Sequence, residues 1–148
     1  MKVRFAKIED SNDILSWRND PVSRKNFKDS SILSIESHTI WFKNKLESDT
    51  ARLIIAEKEE EKIGVTRFEI IDDSVLVSIN LNPDSRGKGY GSRMLLLSEE
   101  ILDFRMTRSL YKAEILKNNF ASIKIFEKSG YALESLQDSI LIYTKSIK

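Results

Sequence analysis

Cysteine is absent from this 148-residue chain, which excludes disulfides, thiolate metal sites and a cysteine nucleophile. Histidine is nearly absent. With His38 alone, no histidine-based metal cluster is expected, and the expected metal complement is none. Neither sign of charge prevails: 24 Lys and Arg stand against 23 Asp and Glu, and a net +1 gives no field to recruit nucleic acid. No apolar run approaches the roughly 18 residues that span a bilayer. The opening "MKVRFAKIEDSND" lacks a signal peptide's apolar core. A cytoplasmic protein with no nucleic-acid or membrane partner is expected. What is present, 41% hydrophobic and 32% charged residues, suits an ordinary globular protein with one domain over 1–148.

Periodicity orders the elements. "KVRFAK" alternates as a strand, and Ser11 or Asn12 is placed to cap a short helix through "DILSWRN", stopped near Pro21. Residues 22–33 show no period and read as a loop with a helical turn. Ser34 then caps "SIESHTIWFKNKL", whose Ile35, His38, Phe42 and Leu46 fall at helical spacing. "ARLIIAE", "KIGVTRFEII" and "SVLVSINLN" are rich in β-branched residues and form an antiparallel meander. A glycine turn follows, then a helix with Met94, Leu97, Ile101 and Phe104 along one stripe. "SLYKAEIL" is a strand, "NNFASIKIFEKSG" a helix closed by Gly130, and "YALESLQ" with "SILIYTKSI" a hairpin around Gln137 and Asp138. The expected class is α+β with a mixed sheet.

Three of five glycines, Gly87, Gly89 and Gly91, alternate in "RGKGYGS" between a strand and a helix. Such a turn exposes consecutive backbone N–H groups at a helix N-terminus, where the dipole favours an anion. Arg86 and Lys88 add positive charge and Ser92 a hydroxyl, so a phosphate or pyrophosphate is the natural occupant. No lysine followed by Ser or Thr completes a P-loop. A dinucleotide G-x-G-x-x-G fails at Ser92 and again at Met94. The pattern that fits is R-x-x-G-x-G, as Arg86, Gly89 and Gly91.

That stretch resembles the pyrophosphate loop of the GCN5-related N-acetyltransferase (GNAT) superfamily, which binds acetyl-coenzyme A. A second match supports it: Asn119, Ser122, Ile123, Phe126, Glu127, Lys128, Gly130 and Tyr131 resemble the superfamily's N-x-x-S-I-x-x-[YF]-E-K-x-G-[FY] segment. The resemblance spans nearly the whole chain. It implies a mostly antiparallel sheet, flanked by helices, whose central strands part in a V-shaped splay. It also implies acetyl-CoA as co-substrate, with Ile79, Asn80 and Leu81 along the pantetheine arm and Arg86, Gly87, Lys88, Gly89, Tyr90, Gly91 and Ser92 around the pyrophosphate. Asn119 matches a cofactor-contacting asparagine, although its position equally suits a helix cap.

Attack of an amine on a thioester needs that amine deprotonated, so a carboxylate base is useful. Glu114 lies five residues before Asn119, where protein N-terminal acetylating members of the superfamily carry a glutamate base. A solvated strand residue is the other reading. Ser78 and Asn80 share a strand face and are candidates to hold water. One departure stands out: the superfamily's general-acid tyrosine is replaced by Phe126, which cannot donate a proton. Either another hydroxyl, such as that of Tyr143, takes over, or the thiolate leaves unaided, or the protein is a non-catalytic acyl-CoA-binding module.

The first helices resemble two branches, the pseudaminic-acid-type nucleotide-sugar N-acetyltransferases and the ribosomal-protein N-terminal acetyltransferases. In "WRNDP", Arg18 and Asn19 are expected to hold a sugar diphosphate or a peptide carboxylate, with Trp17, Trp41 and Phe42 as an apolar face or as core. His38 reads as packed rather than as a base. From Ser11 to Lys45 six basic residues face four acidic ones, which tilts the expected acceptor from a peptide N-terminus toward a nucleotide-linked amino sugar. The expected partner is thus a small-molecule amine, and a homodimer is left open.

Overall fold

The computed structural model describes residues 1–103 and 108–147. Strands β1 (Lys2–Phe5), β2 (Ala51–Lys58), β3 (Glu61–Ile71), β4 (Ser74–Leu81), β5 (Leu110–Leu116), β6 (Ala132–Gln137) and β7 (Ile140–Ser146) form one sheet. Its order is β1-β2-β3-β4-β5-β7-β6. Neighbours run antiparallel except β4 and β5, which are parallel. Helices α1 (Ser11–Asn19), α2 (Pro21–Lys25), α3 (Ile35–Glu47), α4 (Tyr90–Ile101) and α5 (Phe120–Lys128) complete the α+β architecture. Among the described residues no helix is long and apolar enough to cross a membrane.

The apolar runs of the meander explain the layering. A strand buried on both faces reads as a continuous apolar run. Along β2, Leu53 and Ile55 join Ile14 and Trp17 of α1 and Phe42 of α3 in one cluster. Ile54, between them, joins Phe68, Leu95 and Phe126 in the core under α4 and α5. Helices therefore cover both faces of the sheet.

Two expectations shift. The helix after β1 starts at Ser11, but neither Ser11 nor Asn12 caps it; the N-cap is Asp10, without a capping side-chain bond. The Asp10 carboxylate instead accepts from Arg4 at 2.8 and 2.9 Å, from the Lys7 N–H at 2.7 Å and from Lys62 Nζ at 2.8 Å. Burial alone would raise its pKa, yet those hydrogen bonds hold it well below the usual carboxylate range. The buried face of α4 runs through Gly91, Met94, Leu95 and Ser98 to Glu99, turned from the stripe through Leu97 and Ile101, which are only partly buried. Phe104, assigned to that stripe, lies outside the described residues. Ser34 caps α3 by accepting from the Ser37 N–H, as its position predicts. Ile35 is exposed rather than part of the buried stripe, which α3 forms from His38 and Phe42.

Candidate active site

The site begins where β4 and β5 part. Their ladder pairs Ser74–Leu76 with Leu110–Lys112 and ends there. β4 continues to Leu81 paired only with β3, so beyond Leu76 its other edge faces a gap. This is the splay, and a cleft of about 680 Å³ opens in it. Ile79, Asn80 and Leu81 line one wall, Ile115, Asn119 and Phe126 the other, and the glycine turn closes one end. An amide-rich arm entering there would meet free main-chain groups, as an added strand does.

Each glycine of the turn has its own physical reason. Gly87 and Gly89 have φ of +73° and +78°, a left-handed backbone that side chains disfavour, and a Cβ on either would meet nothing within 4 Å. They shape the loop and leave its N–H groups uncovered. Gly91 has no such φ; a Cβ there would sit 2.7 Å from Ile125 Cγ1 and nearer still to Cδ1, so Gly91 lets α4 lie against α5. Gly87, Gly89, Tyr90, Gly91 and Ser92 all line the cleft, whereas the side chain of Lys88 is exposed at the loop's tip.

Arg86 also has partners within the chain. It lines the cleft, but Nη2 is held 2.9 Å from Asp20 Oδ2 and donates to Ser23 Oγ at 2.6 Å. It therefore ties α2 to the loop through Nη2. Asn119 caps α5, its Oδ1 accepting from the Ser122 N–H at 3.2 Å, while also lining the cleft. Phe126 is buried edge-on to Tyr131, with ring centroids 4.9 Å apart. The hydroxyl of Tyr143 donates to Glu127 Oε2 at 2.9 Å, and Tyr143 belongs to the wall of neither cavity.

A second cavity of about 580 Å³ lies on the side of α1 and α3. Ile14, Arg18, Phe27, His38, Trp41 and Arg67 contribute to its wall. It shares Ser78, Ile79, Asn80 and Glu114 with the first cavity, so the two meet across β4 and β5. Alternation along β5 turns Tyr111, Ala113 and Ile115 into the core and leaves Glu114 exposed at this junction, with Lys28 Nζ 3.2 Å from Oε1. Ser78 and Asn80 already have protein partners: Ser78 Oγ accepts from Arg67 Nη2 at 3.3 Å, and Asn80 Oδ1 from Ser23 Oγ at 3.1 Å.

Of the acceptor-side residues expected from sequence, Arg18 and Trp41 line the second cavity and Asn19 lines neither. Its side-chain amide donates to the Leu33 carbonyl at 2.9 Å and accepts the Leu33 N–H at 2.9 Å, anchoring the segment before α3. Asn19 thus clamps that segment. His38 is buried and stacked on Phe42 at 5.7 Å, and its Nε2 lies 3.1 Å from the Ser11 carbonyl, which can only accept. Burial lowers its pKa, outweighing the Ser11 hydrogen bond that raises it. Arg67 and Phe27 were not singled out from sequence. The signal for Arg67 was a lone cation inside the apolar run of β3; Phe27 gave none.

Comparison with known proteins agrees with this geometry. The model of the acetyltransferase (GNAT) domain family matches residues 1–132. No curated protein sequence matches the chain. Among solved structures, yncA from Salmonella typhimurium, determined with acetyl-CoA, is 19% identical over 100% of this chain and 94% of that one, at TM-score 0.81. The Vibrio cholerae spermidine N-acetyltransferase, in complex with CoA and spermine, is 12% identical over 99% and 95%, at TM-score 0.84. The ribosomal-protein-alanine N-acetyltransferase of Brucella melitensis is 21% identical over 99% of each chain, at TM-score 0.81. Identities this low speak to the fold, and the family rests on the domain match over most of the sequence. The chain belongs to the GNAT acetyltransferases, enzymes whose acetyl donor is acetyl-CoA.

Proposed function

We propose that the first cavity takes acetyl-CoA, with its pyrophosphate on the main chain of Gly87–Ser92, and that the second takes the acceptor amine. Glu114 then stands between them as the base. The observation that carries this reading is that Glu114 belongs to both walls. The amine nitrogen attacks the thioester carbonyl carbon, the C–S bond breaks, and the amine's proton passes to Glu114 directly or through water. Phe126 cannot return a proton to sulfur, and the Tyr143 hydroxyl is engaged with Glu127, so coenzyme A leaves as thiolate without a side-chain acid at either position.

The acceptor we favour is the amino group of a nucleotide-linked amino sugar, on the resemblance of the first helices to enzymes of that kind. A ribosomal-protein N-terminus is the second reading, since a structural relative carries that activity in its name. A panel of UDP-4-amino-4,6-dideoxy sugars and ribosomal N-terminal peptides separates them; acetylation of peptides alone would overturn the sugar assignment. Glu114→Gln is expected to lower kcat by about 10²-fold while acetyl-CoA affinity stays nearly intact. Equal turnover by the two proteins from about pH 6 to about pH 9 would remove Glu114 from the mechanism.

A further inference from the structure

The wall of the acceptor cavity carries two guanidinium groups, Arg18 and Arg67, from different elements. Each has an aromatic ring on one side: Phe27 lies 4.1 Å from the Arg18 guanidinium carbon and Trp41 lies 5.6 Å from that of Arg67. Among the described residues, no carboxylate comes within 4.0 Å of either to form an ion pair. The carboxylates that are near are engaged elsewhere. Asp29 accepts from the Ser31 N–H and hydroxyl at 3.0 and 2.6 Å, and Glu69 accepts from Lys45 Nζ at 2.7 Å. Arg18 donates Nη2 to the Asp29 carbonyl at 2.7 Å, and Arg67 donates Nη2 to Ser78 at 3.3 Å. Nη1 of Arg18 is the one buried side-chain N or O among the described residues with no hydrogen-bond partner. Buried polar groups without partners are rare in folded proteins, and a buried N–H left without one is costly.

Both groups are also held below the ordinary arginine range, chiefly by burial, which outweighs the attraction of Asp29 at Arg18 and of Glu69 at Arg67, while Arg24 and Arg67 add repulsion at Arg18. Arginine nonetheless stays charged. Two half-buried cations in one cavity, neither in a direct ion pair, are stabilised by a planar or tetrahedral oxyanion, which guanidinium edges bind well while rings cover their faces. We propose that Arg18 and Arg67 form an oxyanion subsite, and that the acceptor is an amine carrying a carboxylate or phosphate group rather than a polyamine. The cavity's cations, Arg18, Lys28 and Arg67, outnumber its carboxylates, Asp29 and Glu114, which disfavours a polycationic acceptor in the same sense. This rests on the second cavity being the acceptor site.

The test titrates glutarate and UDP separately into protein saturated with coenzyme A, so that the first cavity is closed to them. Wild type is expected to bind at least one, glutarate for a carboxylate subsite and UDP for a phosphate one. Arg18→Gln and Arg67→Gln are each expected to weaken that binding by about 10-fold or more. Melting curves and retained coenzyme A affinity show that the variants fold, and Arg67→Lys provides a milder change should Arg67→Gln not. The catalytic arm compares kcat/KM for 5-aminopentanoate and pentylamine, whose ratio should favour the acid in wild type and collapse in both Gln variants. No anion binding by wild type, binding unchanged in the variants, or a preference for spermidine would overturn the subsite and leave the acetyltransferase reading intact. Failure to bind coenzyme A would instead sink that reading.

Discussion

The two cavities share a wall but are built by different means. The cavity proposed for acetyl-CoA draws mostly on two short stretches, 77–92 and 114–128, with Ser23, Asn26 and Phe27 added, and much of what it presents is main chain: the free edge of β4, the Gly87–Gly89 turn and the start of α4. The cavity proposed for the acceptor gathers side chains from α1, the segment before α3, α3 itself, β3 and β5. Recognition by main chain constrains residues locally, through φ and close approach, and so leaves a motif. Recognition by side chains from distant elements needs no motif, only a fold that brings them together.

The sharpest difference within the cofactor side lies between the glycines. Gly91→Ala is expected to cost about 1–3 kcal/mol through overpacking against Ile125. In denaturant unfolding, Gly91→Ala with Ile125→Ala should lose less than the two single changes combined. Gly87→Ala, whose Cβ points into open space, should cost about 1 kcal/mol from its left-handed φ, whatever stands at 125. Strict additivity at 91 and 125 would contradict the packing account.

A smaller effect tests which groups lie outside both cavities. Tyr143→Phe removes the donor to Glu127 and should cost about 1 kcal/mol of stability. It should leave kcat within about 3-fold, since Tyr143 lines neither cavity. A drop of about 10²-fold or more would restore Tyr143 as the missing acid.

The same contrast explains what could be read in advance. The order of the main elements, the caps at Ser34 and Asn119 and the glycine turn are local properties, and they are legible. The face of α4 was not, because its buried side includes Glu99. That carboxylate is made tolerable by the Tyr131 hydroxyl and Lys145 Nζ, both at 2.7 Å and both far along the chain. Asn19 and Arg86 carry the right chemistry for ligands, and the partners the fold gives them, Leu33 for Asn19 and Asp20 and Ser23 for Arg86, leave no trace in the sequence. Arg67 takes on its proposed role only through the fold, which sets its guanidinium carbon 5.6 Å from the Trp41 ring.

Calorimetric titration of acetyl-CoA into wild type, Gly89→Glu and Arg67→Gln tests the division of labour most directly. Micromolar-range binding by wild type is expected, weakened about 100-fold or more by a carboxylate and a strained φ at the pyrophosphate turn, and unaltered by Arg67→Gln. Absent binding by wild type, or binding that survives Gly89→Glu unchanged, would contradict the account.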